Sequence, residues 1–251
     1  MVLIPEGTNK NGGHIKPFFM DATPVTVAQF DEFIKATGYK TEAQKFGNAG
    51  VFDTLTHTWN LIDGANYLFP LGPDKAKALP NYPVTQVSWH DAEAYCSWAH
   101  KRLPTGPEWE YVAMNADGHY NKKYPWGDSL VQNGKYMANV WQGNFPEFNT
   151  VADGFAYTSP VGAFGKTPLG LTDIGGNVWE WIQDWQNPND TASHASEKLQ
   201  MSGSFLCDYK VCHGYKIGNT SHSTPETSLC HVGFRCEKDC ESEPSKSKGR
   251  L

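Results

Sequence analysis

The second half of the chain contains no long regular pattern, and this feature limits the possible folds more than any other. After about residue 115, short apolar pieces are interrupted by Pro, Gly, Asn and Asp, as in residues 124–128 and 144–149. The 24 Gly and 16 Pro among the 251 residues also argue against a helical bundle. Long connections inside a domain are usually functional or held in place by ions or cross-links. We therefore expect one loop-rich domain whose loops are ordered in this way.

Helix signals are found in the first 115 residues. In a capping box, a Ser or Thr side chain before a helix pairs with a polar residue three positions later. The boxes here are Thr26 with Gln29, Ser88 with Asp91, and Thr105 with Glu108. Each precedes apolar residues at helical spacing, so the sequence predicts three short helices, the first ending at Gly38. Short strands are predicted at residues 2–4 and 16–20.

Net charge and hydropathy exclude several classes of protein. The formal net charge is −6 and no basic stripe is present, so nucleic acid is not an expected partner. No segment approaches the roughly 20 apolar residues of a membrane span, and residues 1–7 are too short for a signal-peptide core. We expect a soluble monomer without membrane contact, either cytoplasmic or in the secretory pathway if a leader has been removed. Residues 1–238 form the predicted domain, and residues 239–251 a disordered C-terminal tail.

The cysteines are too few for a disulfide scaffold of this length, and they lack the Cys-x-x-Cys spacing of a zinc site. Cys207 and Cys212 are five positions apart, so on a strand they would point to opposite faces and on a helix they would lie about 140° apart. If residues 208–211 formed a four-residue hairpin loop, the two side chains would face each other with Cβ atoms about 5 Å apart. The residues alone leave a disulfide, a redox dithiol and a metal site open.

Three longer motifs carry more information: RLPTGPEWEYVA from Arg102, GLTDIGGNVWEWIQDW from Gly170 and VGFRC from Val232. Taken singly, each is explained by aromatic packing in a core. Together and in this order, they resemble the formylglycine-generating enzyme family over almost the whole chain. The resemblance implies an α+β single domain with a distorted C-type-lectin-like fold and little regular secondary structure. It is less specific for activity, because many proteins with this fold have lost or changed the chemistry.

The resemblance implies a copper-dependent oxidase. Such an enzyme uses O2 and a thiol reductant to convert a cysteine in a Cys-x-Pro-x-Arg motif of unfolded sulfatase chains to Cα-formylglycine. In competent members a serine and two further residues precede a Cys-x-x-x-x-Cys pair, and Ser204, Cys207 and Cys212 match this pattern. The two thiolates would bind Cu(I), and Ser204 would hydrogen-bond the oxygen species. Soft thiolate ligands select Cu(I), which makes the assignment chemically consistent.

The same resemblance places Trp179, Ser228 and His231 at a groove for the substrate peptide. Two departures from the family lie near it. The usual Arg-Gly-Gly-Ser is here Met201-Ser202-Gly203-Ser204, and the usual asparagine before the VGFRC motif is His231. We therefore expect the recognised peptide sequence to differ in detail from the usual motif.

Two sets of oxygen ligands for structural Ca2+ are also implied by the resemblance. The first set is Asn139, the carbonyl of Val140, Asp153 and the carbonyl of Phe155. The second set is Asp173, the carbonyls of Ile174, Gly176 and Val178, and Glu180. Calcium takes carboxylate, amide and carbonyl oxygens of this kind, although neither stretch is an EF-hand. Calcium would explain how the long loops are ordered.

The remaining cysteines divide into two pairs. The resemblance joins Cys96 to Cys236 in a structural disulfide, which would contribute about 4 kcal/mol in the chain-entropy model. Cys230 and Cys240 are left either as a second bridge or as two free thiols.

Two other functions stay open. A lectin-like module could keep the fold and bind calcium and a ligand without catalysis, but the retained cysteine pair argues against it. Another oxidase of the same superfamily, such as a sulfoxide-forming enzyme, would need iron-binding histidines from an additional helical domain, for which we find no room in this chain.

Overall fold

The computed structural model describes residues 1–189 and 196–240. Over these residues the chain forms four helices: α1 (Val27–Thr37), α2 (Glu42–Phe46), α3 (Trp89–Trp98) and α4 (Gly106–Ala113). Helices α1, α3 and α4 confirm the three that the capping boxes predict, and in each the boxed side chains bond reciprocally with backbone N–H groups. Helix α2 is not among the predicted helices, although Thr41 and Gln44 form the same box. Within the described ranges, no helix has the length and apolar character needed to cross a membrane.

The strands are short. In chain order they are β1 (Val2–Ile4), β2 (Gly7–Thr8), β3 (His14–Ile15), β4 (Phe18–Met20), β5 (Asn48–Asp53), β6 (Thr58–Asp63), β7 (Val131–Gln132), β8 (Lys135–Tyr136), β9 (Gly143–Asn144), β10 (Phe148–Asn149), β11 (Trp179–Trp185), β12 (Lys198–Met201), β13 (Ser221–Ser223), β14 (Val232–Gly233) and β15 (Glu237–Asp239). The strand predicted at residues 2–4 is β1. The strand predicted at 16–20 is shorter, because Lys16 and Pro17 precede β4 and proline has no N–H for a ladder bond.

Two sheets form the frame. The first has the strand order β1, β4, β15 and is antiparallel, with Glu237 opposite Met20. The second has the order β13, β12, β11, β14, in which β11 and β14 run parallel. Asp239 is the last residue of β15, so the predicted boundary between domain and tail is wrong at this position. The rest of the predicted tail, residues 241–251, lies outside the described residues.

Strand β11 is attached to the helices by buried indole groups. Trp181 is fully buried, and its Nε1 donates to a backbone carbonyl at 3.0 Å. Trp89 Nε1 of α3 donates to the β11 carbonyl of Ile182 at 2.9 Å, and Trp109 Nε1 of α4 donates to Glu180 Oε2 at 3.0 Å. Packing and satisfied hydrogen bonds together fix the strand, and with it the glycine turn that precedes it.

One disulfide ties a helix to the last strand. Cys96 in α3 and Cys236 just before β15 are bonded, with Cα atoms 5.9 Å apart. This is the pair that the family resemblance implies. Cys230 and Cys240 are both free thiols, which decides between the two alternatives left open by the sequence.

Candidate active site

The two cysteines of the expected copper site lie in a loop that follows β12. Cys207 and Cys212 form a disulfide there, with Cα atoms 4.9 Å apart. The hairpin ladder considered as one arrangement of the pair is not formed, because no described strand flanks residues 208–211. Instead, Asp208 Oδ1 accepts a hydrogen bond from Val211 N at 2.6 Å, and the Asp208 carbonyl accepts one from His213 N at 3.1 Å. A side chain that bonds its own loop backbone thus takes the place of strand pairing.

Ser204 lies against Cys207 in the same loop. Its hydroxyl oxygen is 3.9 Å and its backbone nitrogen 3.4 Å from Cys207 Sγ. Ser204 is fully buried, Cys207 is 1% exposed, and Cys212 is partly buried. Leu206 N donates to Ser204 Oγ at 3.3 Å, which orients the hydroxyl oxygen. The three residues that match the family pattern are therefore adjacent in space, and we call residues 202–214 the cysteine loop.

Two glycines allow the cysteine loop to pack directly on Trp179. Gly203 has a left-handed backbone with φ of 72°, and a Cβ atom there would lie 3.0 Å from Gly214 Cα. A Cβ atom on Gly214 would overlap the ring of Trp179. Trp179 itself is only 4% exposed. Its ring packs against Gly214 of the loop, and its contact with the substrate peptide stays a prediction.

Ser228 and His231 have side-chain atoms without hydrogen-bond partners. Both residues are buried, and within the described part of the chain neither Ser228 Oγ nor His231 Nδ1 has a partner. The carbonyl of His231 accepts from Trp179 N at 2.9 Å, so the residue is close to the support of the loop. Burial lowers the pKa of His231 to about 3, and its imidazole is therefore neutral at physiological pH. Buried polar atoms normally have partners, so these two are available to a ligand.

A row of aromatic rings connects His231 with the cysteine loop. Neighbouring centroids in the row are 5.0 to 5.5 Å apart. The order is His231, Trp59, Phe52, Phe145 and Trp141, and Trp141 N donates to the Cys207 carbonyl at 3.0 Å. Trp59 in β6 is 47% exposed, so the row of rings reaches the solvent at this residue. Trp59 is not among the residues expected in the groove, although a tryptophan in the polar stretch THTWN is a signal for it.

Hydrogen bonds link members of the first expected calcium set to one another. Gln142 Nε2 donates to both the Val140 carbonyl and Asp153 Oδ2, so these two oxygens can share one small partner. Phe155 N donates to Asp153 Oδ1 at 2.9 Å, which places the Phe155 backbone beside the same carboxylate. Asn139 is 1% exposed, and its Oδ1 has no partner among the residues described. Val140, the residue after Asn139, donates its N–H to Asp153 Oδ2 at 3.0 Å, and a buried oxygen without a donor in such a segment fits a hard cation.

In the second expected calcium set, Arg235 already neutralises the Glu180 carboxylate. Glu180 and Arg235 are both fully buried, with Arg235 Nε 2.7 Å from Glu180 Oε2 and Nη2 2.8 Å from Oε1. The same Nη2 also donates to the carbonyls of Thr172 and Asp173. A cationic side chain therefore pairs with the Glu180 carboxylate, whereas the Asp173 carboxylate accepts from Gly162 N at 2.7 Å and from Thr172 Oγ1 at 2.6 Å. Both carboxylates of the set thus already have hydrogen-bond donors, and calcium at the second set stays a prediction.

Comparison with known proteins places the chain in a family. A family model described as a sulfatase-modifying factor enzyme 1-like domain matches residues 1–240. The formylglycine-generating enzyme of Mus musculus is 42% identical over 248 residues. The matched region covers 88% of this chain, and it spans 66% of the length of the mouse protein.

Two further similarities separate the fold from the activity. Inactive C-alpha-formylglycine-generating enzyme 2 of Bos taurus is 34% identical over 251 residues, which cover 92% of this chain and 80% of that protein. The structure of PvdO from Pseudomonas aeruginosa matches with a TM-score of 0.65 at 21% identity, covering 93% of this chain and 86% of the other. The predicted fold class, a single α+β domain with a distorted C-type-lectin-like fold, is confirmed. The chain belongs to the family of sulfatase-modifying factor enzyme 1-like proteins.

Proposed function

We propose that the chain is an oxidase that converts a cysteine of a sulfatase polypeptide to Cα-formylglycine. The name of the mouse relative supports this reaction. Family membership alone does not decide the activity, because one similar protein is named as inactive. The observation that carries the proposal is the arrangement of Ser204 against Cys207, with Cys212 in the same loop.

Copper is proposed at the cysteine pair. After reduction of the disulfide by a thiol, Cys207 and Cys212 would bind Cu(I), because paired soft thiolates select this ion. Among the described residues no group of three or more His, Cys, Asp or Glu side chains is suited to a metal, so the protein would supply two ligands here and leave room for the substrate thiol. Bound copper would supply the redox chemistry of molecular oxygen. The buried Ser204 hydroxyl would orient the oxygen molecule by a hydrogen bond, and the burial of Ser204 and Cys207 would limit the access of water to this side of the site.

The proposed substrate is an extended, unfolded sulfatase segment with a Cys-x-Pro-x-Arg motif. Ser228 Oγ and His231 Nδ1 supply hydrogen-bonding atoms without partners in the described chain, and Trp59 supplies an exposed ring for an apolar side chain such as proline. The net charge of −6 favours a segment that contains arginine. Calcium at the first set would hold the loops that carry this groove in a structural role.

A peptide assay tests the reaction. The protein is incubated with Cu(I), O2, a thiol reductant and a peptide that contains Cys-Thr-Pro-Ser-Arg, and mass spectrometry detects the change from thiol to aldehyde. We expect conversion by the wild type, none by Cys212→Ser, and full conversion by Cys240→Ser, which removes a free thiol outside the loop. Failure of the wild type with several Cys-x-Pro-x-Arg peptides would disprove the oxidase. Conversion by Cys212→Ser would disprove the assignment of the copper ligands.

A further inference from the structure

Asn177, in the glycine turn before β11, uses its whole side-chain amide in hydrogen bonds. It is 1% exposed and has a left-handed backbone with φ of 66°. Its Oδ1 accepts from Ser159 N at 2.9 Å and from Asn139 Nδ2 at 3.2 Å. Its Nδ2 donates to the Ser159 carbonyl and to Asp173 Oδ1, both at 3.3 Å. Asparagine suits this position because it tolerates a positive φ and supplies both a donor and an acceptor.

The backbone of Asn177 extends these contacts to the cysteine loop. Its N–H donates to the Asn139 carbonyl at 2.8 Å, and its carbonyl accepts from Phe205 N at 3.0 Å. Phe205 directly follows Ser204 and precedes Cys207 by two positions. One buried residue is therefore bonded to the first calcium set and to the cysteine loop.

The contacts of Asn139 show how Asn177 acts on the first calcium set. Asn139 Nδ2 donates to the Tyr157 carbonyl at 2.8 Å as well as to Asn177 Oδ1. Because both hydrogens of this amide are used, it cannot flip without losing two bonds, and Oδ1 stays the free acceptor. Calcium needs this orientation, since it binds the oxygen of an amide and not the nitrogen. Asn177 thus holds Asn139 in the orientation that binds a cation.

We propose that Asn177 is a positioning residue that couples calcium binding at the first set to the geometry of the cysteine loop. The inference rests on the calcium site of the proposed function. Calcium restrains Asn139, Asn139 restrains Asn177, and the Asn177 carbonyl restrains Phe205 N. The turn that holds Ser204 against Cys207 then varies less in its backbone conformation. By thermodynamic linkage, a change in the loop also changes the calcium affinity.

Calcium affinity tests one end of this coupling. Asn177→Gly removes the side chain without backbone strain, since glycine adopts a positive φ readily. Asn115→Gly is the matched control, because Asn115 has φ of 58° and its Nδ2 donates to the Pro125 carbonyl at 2.9 Å, outside both calcium sets. Titration calorimetry of the full chain with calcium is expected to show binding weakened by about 10-fold to 100-fold in Asn177→Gly. The affinity of Asn115→Gly should equal that of the wild type.

The reduction rate of the loop disulfide tests the other end. Each protein is treated with a phosphine reductant either with saturating calcium or with a chelator, and released thiols are alkylated and assigned by peptide mass mapping. In the wild type and in Asn115→Gly, calcium should slow the opening of the Cys207 to Cys212 bond. In Asn177→Gly the rates with and without calcium should be equal. The Cys96 to Cys236 bond is the internal reference.

The outcomes separate this inference from the proposals on which it rests. Equal calcium affinity and equal protection in the wild type and Asn177→Gly would overturn the coupling. If Asn177→Gly does not fold, Asn139→Ala removes the bond between Asn139 Nδ2 and Asn177 Oδ1 from the other side and should also lose calcium-dependent protection, and full protection in this variant would overturn the coupling as well. A wild type that does not bind calcium would overturn both the calcium site and the coupling. The oxidase reaction would still be decided by the peptide assay with Cys212→Ser.

Discussion

At the scale of single residues, Arg235 shows what a buried charge requires. The guanidinium is fully buried and pairs with the equally buried Glu180. Removing one member of such a pair leaves the other charge unpaired and away from water. Glu180→Leu is therefore expected to lower the free energy of unfolding by about 3–5 kcal/mol in urea denaturation. The double variant Glu180→Leu/Arg235→Leu should lose less, and an equal or larger loss would contradict this account.

Glu237 gives a prediction about pH. Three carboxyl groups, those of Glu108, Glu237 and Asp239, pair with the Arg102 guanidinium. Burial, together with the charge of Glu108, raises the pKa of Glu237 to about 10, far above the value of about 4 in an unfolded chain. The stability from this group is therefore present below about pH 4 and is lost as the pH rises toward 10.

Glu237→Gln removes this dependence because the amide stays neutral. The melting temperature of the variant, measured by circular dichroism, should rise relative to that of the wild type between about pH 5 and pH 9. A difference that is constant over this range would show that Glu237 does not hold a proton in the folded state.

Residues of the site differ in how far sequence reveals them. Ser204, Cys207 and Cys212 form a local pattern with fixed spacing, so a family resemblance is enough to select them. Asn177 is different, because its contacts reach Asn139 and Phe205 from a distant position in the chain. Such a role depends on tertiary packing and leaves no pattern in the local sequence.

At the scale of elements, the helices are predictable because their signals are local. The capping boxes identify α1, α3 and α4, and the same box at Thr41 marks α2, whose five residues are too few for a periodic apolar pattern. The strands are harder to predict, since β11 pairs with β12 and β14 from distant parts of the sequence. A loop such as the one at Cys207 is harder still. Its shape depends on one buried side chain, that of Asp208, and not on strand pairing.

The contact between the cysteine loop and Trp179 yields a steric prediction. Gly203→Ala places a Cβ atom against Gly214, while Gly134→Ala adds one at nearly the same φ, 74° against 72°, with no atom within 4 Å. The two variants share the backbone strain, so their difference measures the overpacking of the loop. Gly203→Ala should be less stable than Gly134→Ala by about 1–3 kcal/mol in urea denaturation and should lose peptide conversion. Equal stability and activity would show that the loop is not tightly packed.

At the scale of the whole molecule, the disulfide between Cys96 and Cys236 joins positions 140 residues apart. A bond across so long a segment mainly restricts the unfolded chain. Replacing both residues by alanine is expected to lower the free energy of unfolding by about 2–5 kcal/mol, measured by urea denaturation, with retention of the fold. An unchanged stability would mean that packing between α3 and β15 is sufficient without the bond.

The fold class follows from motifs that are spread over the whole chain, whereas composition predicts only a loop-rich domain. The order of strands in the two sheets does not follow from either, because β15 pairs with β4 from the other end of the described chain, and β14 pairs with β11 across the intervening strands β12 and β13. Nonlocal pairings of this kind are decided by the packed core and not by local preference.

The pairing of β15 with β4 also affects how the protein is made. A chain emerges from the ribosome in sequence order, so β15 emerges after its partner β4, and β14 emerges after its partner β11. Until β14 has left the exit tunnel, the tryptophan-rich strand β11 lacks the partner on one of its two edges. Unpaired apolar strands of this kind are prone to aggregate. Translation speed and chaperone supply during synthesis should therefore determine the yield of active protein more than the stability of the finished fold.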